Sequence, residues 1–326
     1  MMKILVIFLV CFVGALAALI WWIAQPVIAH SEPLPVPAAN PAKLRASVEH
    51  LAGPLARRNS KNPDVLNQAS EYIRTGFAAA HGRTSLQRYE VDGETYSNVI
   101  ARFGPEAGDP VIIGAHYDAE EHTPGADDNA SSVAGLLELA RMLGEHPPSV
   151  PVELVAYTLE EPPFFRGGNM GSQRHAASLA QSGVQPKLVL VMEMIGYFSD
   201  EPGSQAYPLP QLHALYPDTG NFIAVVGNLP DTVQTRLVKQ AMLRASTLPV
   251  YSINAPASIP GIDFSDHASY WPYGIPAIML TDTAFYRNPH YHAPSDKPET
   301  LDYRRIAQVV QGVYGVIRQI EEESLQ

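Results

Sequence analysis

Three apolar runs in this chain each stop at a residue able to hold a metal ion. VIIGA leads into His116 of GAHYD, VELVAYTL into the pair Glu160–Glu161, and KLVLVM into Glu193. Buried parallel strands read as such runs, and open α/β sheets place their sites in the loops at the carboxyl ends of the strands. The runs therefore predict neighbouring strands whose ends converge on one crevice. Carboxylates gathered there repel one another unless cations hold them. Two further segments add to the set: GADDNAS, with Asp127 and Asp128, and NPHYHAPSD, with His290 and His292. Zinc accepts this mixture of imidazole and carboxylate, and paired sites about 3.5–4 Å apart suit hydrolytic enzymes. The residues predict a metallohydrolase.

Taken singly, each residue has a plainer explanation. A lone His beside an apolar run is usually structural, but His116 stands two residues before Asp118, and a ligand His commonly donates its other ring nitrogen to a carboxylate. Asp and Asn favour turns and helix caps, yet two adjacent carboxylates exceed what a cap needs. Charged pairs usually sit on solvated faces, not directly after VELVAYTL. Glu193 lies between LVLVM and MIG, where an unpaired buried Glu is costly.

The chain has 326 residues and a net charge of −11, with no cluster of Lys or Arg. Nucleic acid is excluded as a partner on that balance, because phosphate binding needs a basic footprint. Residues Ile4 to Ala24 carry no charge and are preceded by Lys3, a run close to the roughly 20 residues that cross a bilayer. Trp21 and Trp22 suit the membrane interface. The expected organisation is a cytoplasmic stub (1–3), a transmembrane anchor or signal sequence (4–24), a linker (25–42) and a catalytic domain (43–326). Lys3 inside, and no Lys or Arg until Lys43, place that domain outside the cytoplasm. The alternative is secretion after cleavage near VIA, just before His30. Five prolines (Pro26, Pro33, Pro35, Pro37, Pro41) make the linker extended, lifting the domain off the membrane. Cys11, the sole cysteine, lies in the apolar run, so the soluble part has neither a disulfide nor a catalytic thiol.

Helices are expected at LRASVEHLAG, from a cap at Asp64, near Asn129 and Gly171, from Asp231 to Ser246, and from Leu301. Strands are expected at TSLQRYEV, YSNVIARF, PVIIGA, VELVAYT, KLVLVM, NFIAVVG and PAIML. This alternation predicts a single α/β domain with a mostly parallel, mixed, twisted sheet flanked by helices on both faces.

GAHYD, PGADDNAS, LEE, the strand ending in an acidic residue, SDHASY and HAPSDKPETL together resemble the co-catalytic zinc aminopeptidases of metallopeptidase clan MH, family 28, over roughly residues 64–322. The resemblance implies that family's fold, two zinc ions per chain, and peptide substrates with a free N-terminus. It implies His116, Asp128, Glu161, Glu193 and His292 as ligands, with Asp128 bridging and Asp127 not a ligand. Asp118 and Asp266 stand behind the ligands. Glu160 passes a proton from water to the leaving amine, and the peptide after Asp128 is cis. Glu193 occupies a position where many relatives have Asp. Tyr291 is a candidate hydroxyl donor to the developing oxyanion, and Phe264, Tyr270, Phe285 and Tyr286 are candidates to line an apolar pocket. Two other readings stay open: a glutaminyl cyclase on the same fold, although those enzymes usually carry Trp where Tyr291 stands, and a non-catalytic, receptor-like ectodomain, although such proteins have lost ligands that are present here.

Overall fold

The computed structural model describes residues 2–26 and 32–324; the VIA segment lies outside them. Eight strands form one mixed sheet: β1 (Arg83–Val91), β2 (Glu94–Phe103), β3 (Val111–His116), β4 (Val152–Tyr157), β5 (Leu188–Glu193), β6 (Ile223–Gly227), β7 (Val250–Asn254) and β8 (Ala277–Thr281). Their order across the sheet is β1-β2-β4-β3-β5-β8-β6-β7. The central four, β4, β3, β5 and β8, are mutually parallel, whereas β2 runs antiparallel to β4 and β6 antiparallel to β8. All four parallel strands thus end on the same edge, and the metal-ligating residues expected from the sequence lie in or just after them.

Alternation along the strands sorts the core into two faces. Val111, Ile113 and Ala115 of β3 face the larger cluster, whereas Ile112 faces the other. The larger face is covered by α2 (Pro41–Leu51), α3 (Pro63–Ala79), α4 (Ser132–Glu145), α6 (Thr232–Ala245) and α7 (Tyr303–Ser324). The opposite face carries α5 (Gly171–Ser182) and the segment around Tyr270. His116 and Glu193 share the parity of Ile112 and Val189, so both project toward the α5 side.

Several boundaries differ from expectation. Asn40 caps α2, its Oδ1 accepting the N–H of Ala42 at 2.9 Å, so the linker ends before Pro41 and not at 42. α3 starts at Pro63 with Asn62 at the cap position, which places Asp64 inside the first turn. Proline suits that first position because its missing N–H has no partner to lose. α4 is preceded by a wide turn, Ala126–Ser131, and α7 begins at Tyr303. Strand β7 was not anticipated: VYSIN is too short and mixed to stand out beside NFIAVVG.

The linker does not act as a spacer where the structure describes it. Residues 32–40 run along the body: Leu34 and Ala39 are buried, the N–H of Leu34 donates to Arg244 O at 2.9 Å, and that of Asn40 to Glu138 Oε1 at 2.6 Å. The N-terminal helix α1 (Met2–Ala24) is, among the described residues, the one helix long and apolar enough to cross a membrane. Its last carbonyl, on Ala24, accepts from Lys239 Nζ at 3.0 Å and Ser252 Oγ at 2.8 Å.

Candidate metal centre

Asp128 lies between two histidines. Its Oδ1 is 3.2 Å from His116 Nε2 and its Oδ2 is 3.1 Å from His292 Nε2. Glu193 Oε2 stands 3.4 Å from the same nitrogen of His116, and Glu161 Oε2 stands 3.4 Å from that of His292. Two donor sets, His116–Glu193 and His292–Glu161, therefore share one carboxylate. Glu160 flanks the first, with Oε2 at 4.0 Å from His116 Nε2. His116, Asp128, Glu160, Glu161 and Glu193 are buried; His292, its side chain 30% exposed, forms the mouth.

Asp127 points elsewhere. Its carboxylate accepts the N–H of Gly196 at 2.9 Å and Asn288 Nδ2 at 2.7 Å. The Asp128–Asn129 peptide is cis. Asn129 then brackets the end of β5, donating from Nδ2 to Met192 O at 3.1 Å and accepting the N–H of Met194 at 3.0 Å, which fixes Glu193 between them. Left-handed backbone recurs around the site, at Leu159 (φ 59°), Met194 (φ 49°) and His292 (φ 51°). Non-glycine residues held there cost about 1–3 kcal/mol each, and such strain concentrates where side chains must be aimed.

Asp118 does something other than the sequence spacing indicates. Its nearest oxygen to the His116 ring is the backbone carbonyl, 3.2 Å from Nδ1, with the carboxylate at 3.5 Å. The carboxylate instead accepts the N–H groups of Glu160 at 3.2 Å and Glu161 at 3.1 Å, holding the glutamate pair. Asp266 is fully buried behind the centre, and burial pushes its carboxyl up to about 7. The adjacent Ser265 donates from Oγ to Glu193 Oε2 at 2.7 Å. Tyr291 stacks on the His292 ring, with centroids 3.9 Å apart.

The donors fit divalent cations. His116 Nε2, Asp128 Oδ1 and Glu161 Oε1 are buried without any hydrogen-bond partner. Their ligand atoms all fall within 4.8 Å of one another. Buried polar atoms are almost always paired, so orphans gathered this closely call for partners from outside the polypeptide. Burial acts to lower the basicity of His116, but the carboxylates of Glu193 and Glu160 outweigh it and hold the ring well above its ordinary value. His292 is likewise driven up to about 10 against the effect of burial, through Asp128 and Glu161. Burial, with Asp128 adding repulsion, pushes Glu161 up to about 8. Burial, with repulsion from Glu193 and Glu161, raises Glu160 well above the usual range against the attraction of His116.

An apolar cleft opens beside the donors. Glu193 lies on its wall, and Phe222, Val226, Ile262, Phe264, Met279 and Phe285 line it. Phe264, Phe285 and Tyr286 thus stand where the sequence placed them. Tyr270 does not: it is fully buried on the α5 side, its hydroxyl 2.6 Å from that of Tyr157 and 2.7 Å from His175 Nδ1. Asn129, Asn288, Asp296 and Arg58 also brace the centre without having been singled out. Asp296 sits in the HAPSD segment four residues after His292, a visible signal; Arg58 has none.

Residues 98–317 match the model of Peptidase family M28. The chain is 48% identical over 321 residues to the protein described as "Uncharacterized protein YfbL" of Escherichia coli K12, covering 96% of this chain and 98% of that one. It is 26% identical over 239 residues to leucine aminopeptidase 1 of Fusarium vanettenii, covering 68% of this chain and 55% of that protein, so it spans little more than half of that relative. Among solved structures it resembles BSAP, a zinc aminopeptidase from Bacillus subtilis, with a TM-score of 0.68 at 13% identity over 88% of this chain and 96% of that one. A Bacteroides thetaiotaomicron glutaminyl cyclase bound to N-acetylhistamine gives 0.67 at 18% identity over 87% and 99%. These two likenesses show a shared α/β fold.

Proposed function

Because this chain belongs to peptidase family M28, a family of hydrolases, we propose that it is a zinc-dependent aminopeptidase releasing the N-terminal residue of peptides. The observation that carries this reading is the pair of donor sets sharing Asp128, with Glu160 beside them. His116, Asp128 and Glu193 would hold one zinc ion, and His292, Asp128 and Glu161 a second. Zinc held there supplies acidified water, with a pKa near about 7, and polarises the scissile carbonyl.

The remaining work belongs to the protein. Glu160 is fixed through its backbone by Asp118, and its carboxylate has no hydrogen bond among the described residues, which leaves it free to take a proton from the attacking water and return it to the leaving amine. We assign donation toward the developing oxyanion to the hydroxyl of Tyr291, whose ring stacks on His292. The surrounding carboxylates favour a cationic α-amine, so N-acetylated peptides are poor substrates. The cleft beside Glu193 is apolar, which favours an aliphatic or aromatic first side chain. We place helix α1 in the membrane as an anchor, with the catalytic body on the extracytoplasmic side; release after cleavage is the alternative.

The likeness to a glutaminyl cyclase favours a second reading, cyclisation of N-terminal Gln on the same fold. Turnover of aminoacyl-nitroanilides and of glutaminyl amides by the full chain in detergent, with zinc counted per chain, separates the two. Chelator-sensitive release of nitroaniline with two zinc ions per chain is expected. Cyclisation of glutaminyl amides with one zinc and no nitroaniline release would replace the aminopeptidase reading, and a chain inert toward both would overturn each.

A further inference from the structure

Arg58 lies upstream of the residues that match the family, between α2 and α3, and is fully buried. A buried guanidinium ordinarily pairs with a carboxylate. Among the described residues this one donates only to backbone carbonyls: Nε to Tyr117 O at 2.8 Å, Nη1 to Leu51 O and Pro124 O at 2.9 Å each, and Nη2 to Gly125 O at 2.6 Å. Its own carbonyl accepts the N–H of Ala119 at 3.0 Å. Tyr117 directly follows His116, and Pro124 and Gly125 shortly precede Asp128. The guanidinium therefore ties the two ends of the segment that joins the first histidine to the shared carboxylate.

The same segment is gripped from the opposite side. Asp296 accepts the N–H of Asp127 at 2.9 Å and that of Asp128 at 3.2 Å. A cation thus holds the carbonyls at residues 124 and 125, and an anion holds the amides at 127 and 128. Gly125 is left-handed (φ 63°), and a Cβ there would stand 2.9 Å from Arg58 Nη2, so the grip also requires a residue without a side chain.

We propose that Arg58 is a positioning residue of the metal centre, setting the separation of His116 and Asp128 before any metal arrives. The proposal rests on the metal-centre reading above. A planar fork with five donors suits this task, and a lysine cannot reproduce it while keeping the charge.

The test uses the full chain in detergent with zinc as the probe. Arg58→Lys should bind zinc about 10- to 100-fold more weakly by chelator competition, the range typical when a group that orients ligands is lost. At saturating zinc, kcat should fall more than KM rises, and the zinc-induced rise in Tm should shrink. A purely packing role predicts a Tm lowered equally with and without zinc, and zinc affinity as in the wild type; that result overturns the proposal. Should Arg58→Lys fail to fold, hydrogen exchange at Arg58 Nε–H in the metal-free wild type decides. Protection before zinc is added supports a preset clamp, and protection only afterwards refutes it. A wild-type chain that takes up no zinc would sink the metal-centre reading itself and this proposal with it, whereas wild-type binding matched by Arg58→Lys sinks this proposal alone.

Discussion

Asp118 accepts the backbone N–H of Glu160 at 3.2 Å through one carboxylate oxygen. Its other oxygen takes the N–H of Glu161, so one anion orients two glutamates whose side chains diverge. Glu161 reaches His292 and Glu160 faces His116. The divergence assigns them separable tasks. Glu160→Gln should keep its zinc while kcat falls by at least about 10²–10⁴-fold, the usual contribution of a general acid–base group. Glu161→Gln should lose zinc by elemental analysis and regain part of its activity when zinc is added. The reverse pattern of metal loss would exchange the two roles.

Asp118→Ala should disturb both glutamates at once, because it removes both oxygens that accept their N–H groups. Lower kcat together with weaker zinc retention is the expected pair of effects. An Asp118→Ala variant altered in only one of the two properties would contradict the shared-anchor geometry.

In the proposed reading the apolar cleft receives the first side chain of the substrate. Ala224 on β6 lines it, and Ala224→Phe would fill much of the space. The kcat/KM for leucyl and phenylalanyl substrates should drop about 10- to 200-fold, the range one hydrophobic contact commands, while alanyl substrates are spared. A uniform loss across all three would locate the first side chain elsewhere.

The legible part of this site was whatever strand ends advertise. VIIGAH, VELVAYTLEE and KLVLVME announce buried parallel strands and their carboxyl termini in one reading, so His116, Glu160, Glu161 and Glu193 stand out together. Bracing residues do not announce themselves. Arg58 binds carbonyls contributed by distant backbone, and no side-chain pattern encodes that. Asn129 and Asp296 were inside quoted motifs, yet their partners are amides and carbonyls, which every residue possesses. Tyr270 misled because aromatics near a site and aromatics beneath the sheet read alike. The linker misled for a related reason: proline content predicts extension, and it is silent on whether an extended segment lies down on a neighbouring surface.

A buried network away from the centre makes a pH prediction. Glu153 Oε1 lies 2.9 Å from His175 Nε2, and Oε2 accepts Arg102 Nε at 2.6 Å. Burial acts to raise this carboxyl, but His175 and Arg102 outweigh it and hold Glu153 below its ordinary range. A depressed folded-state pKa stabilises the fold above the unfolded value, about 4.3, and that stability is lost as pH falls through the lower folded value. The Tm difference between wild type and Glu153→Gln should therefore be full near pH 6 and shrink steadily toward pH 3. A difference that stays constant over that window would remove the ionised pair from the account.

Topology is open to a direct check. With α1 as anchor and the body outside, a reporter active only in the cytoplasm should stay silent when fused after Gln326. Strong signal from that fusion would invert the assignment.

His116 closes β3, early in the sheet, whereas His292 comes only after β8, the last strand to be made. The donor set of His292 and Glu161 around Asp128 is incomplete until His292 has been synthesised and the sheet has closed around β5 and β8. A chain still emerging from the ribosome therefore lacks the second donor set. In the aminopeptidase reading proposed above, activity waits on the completion of folding.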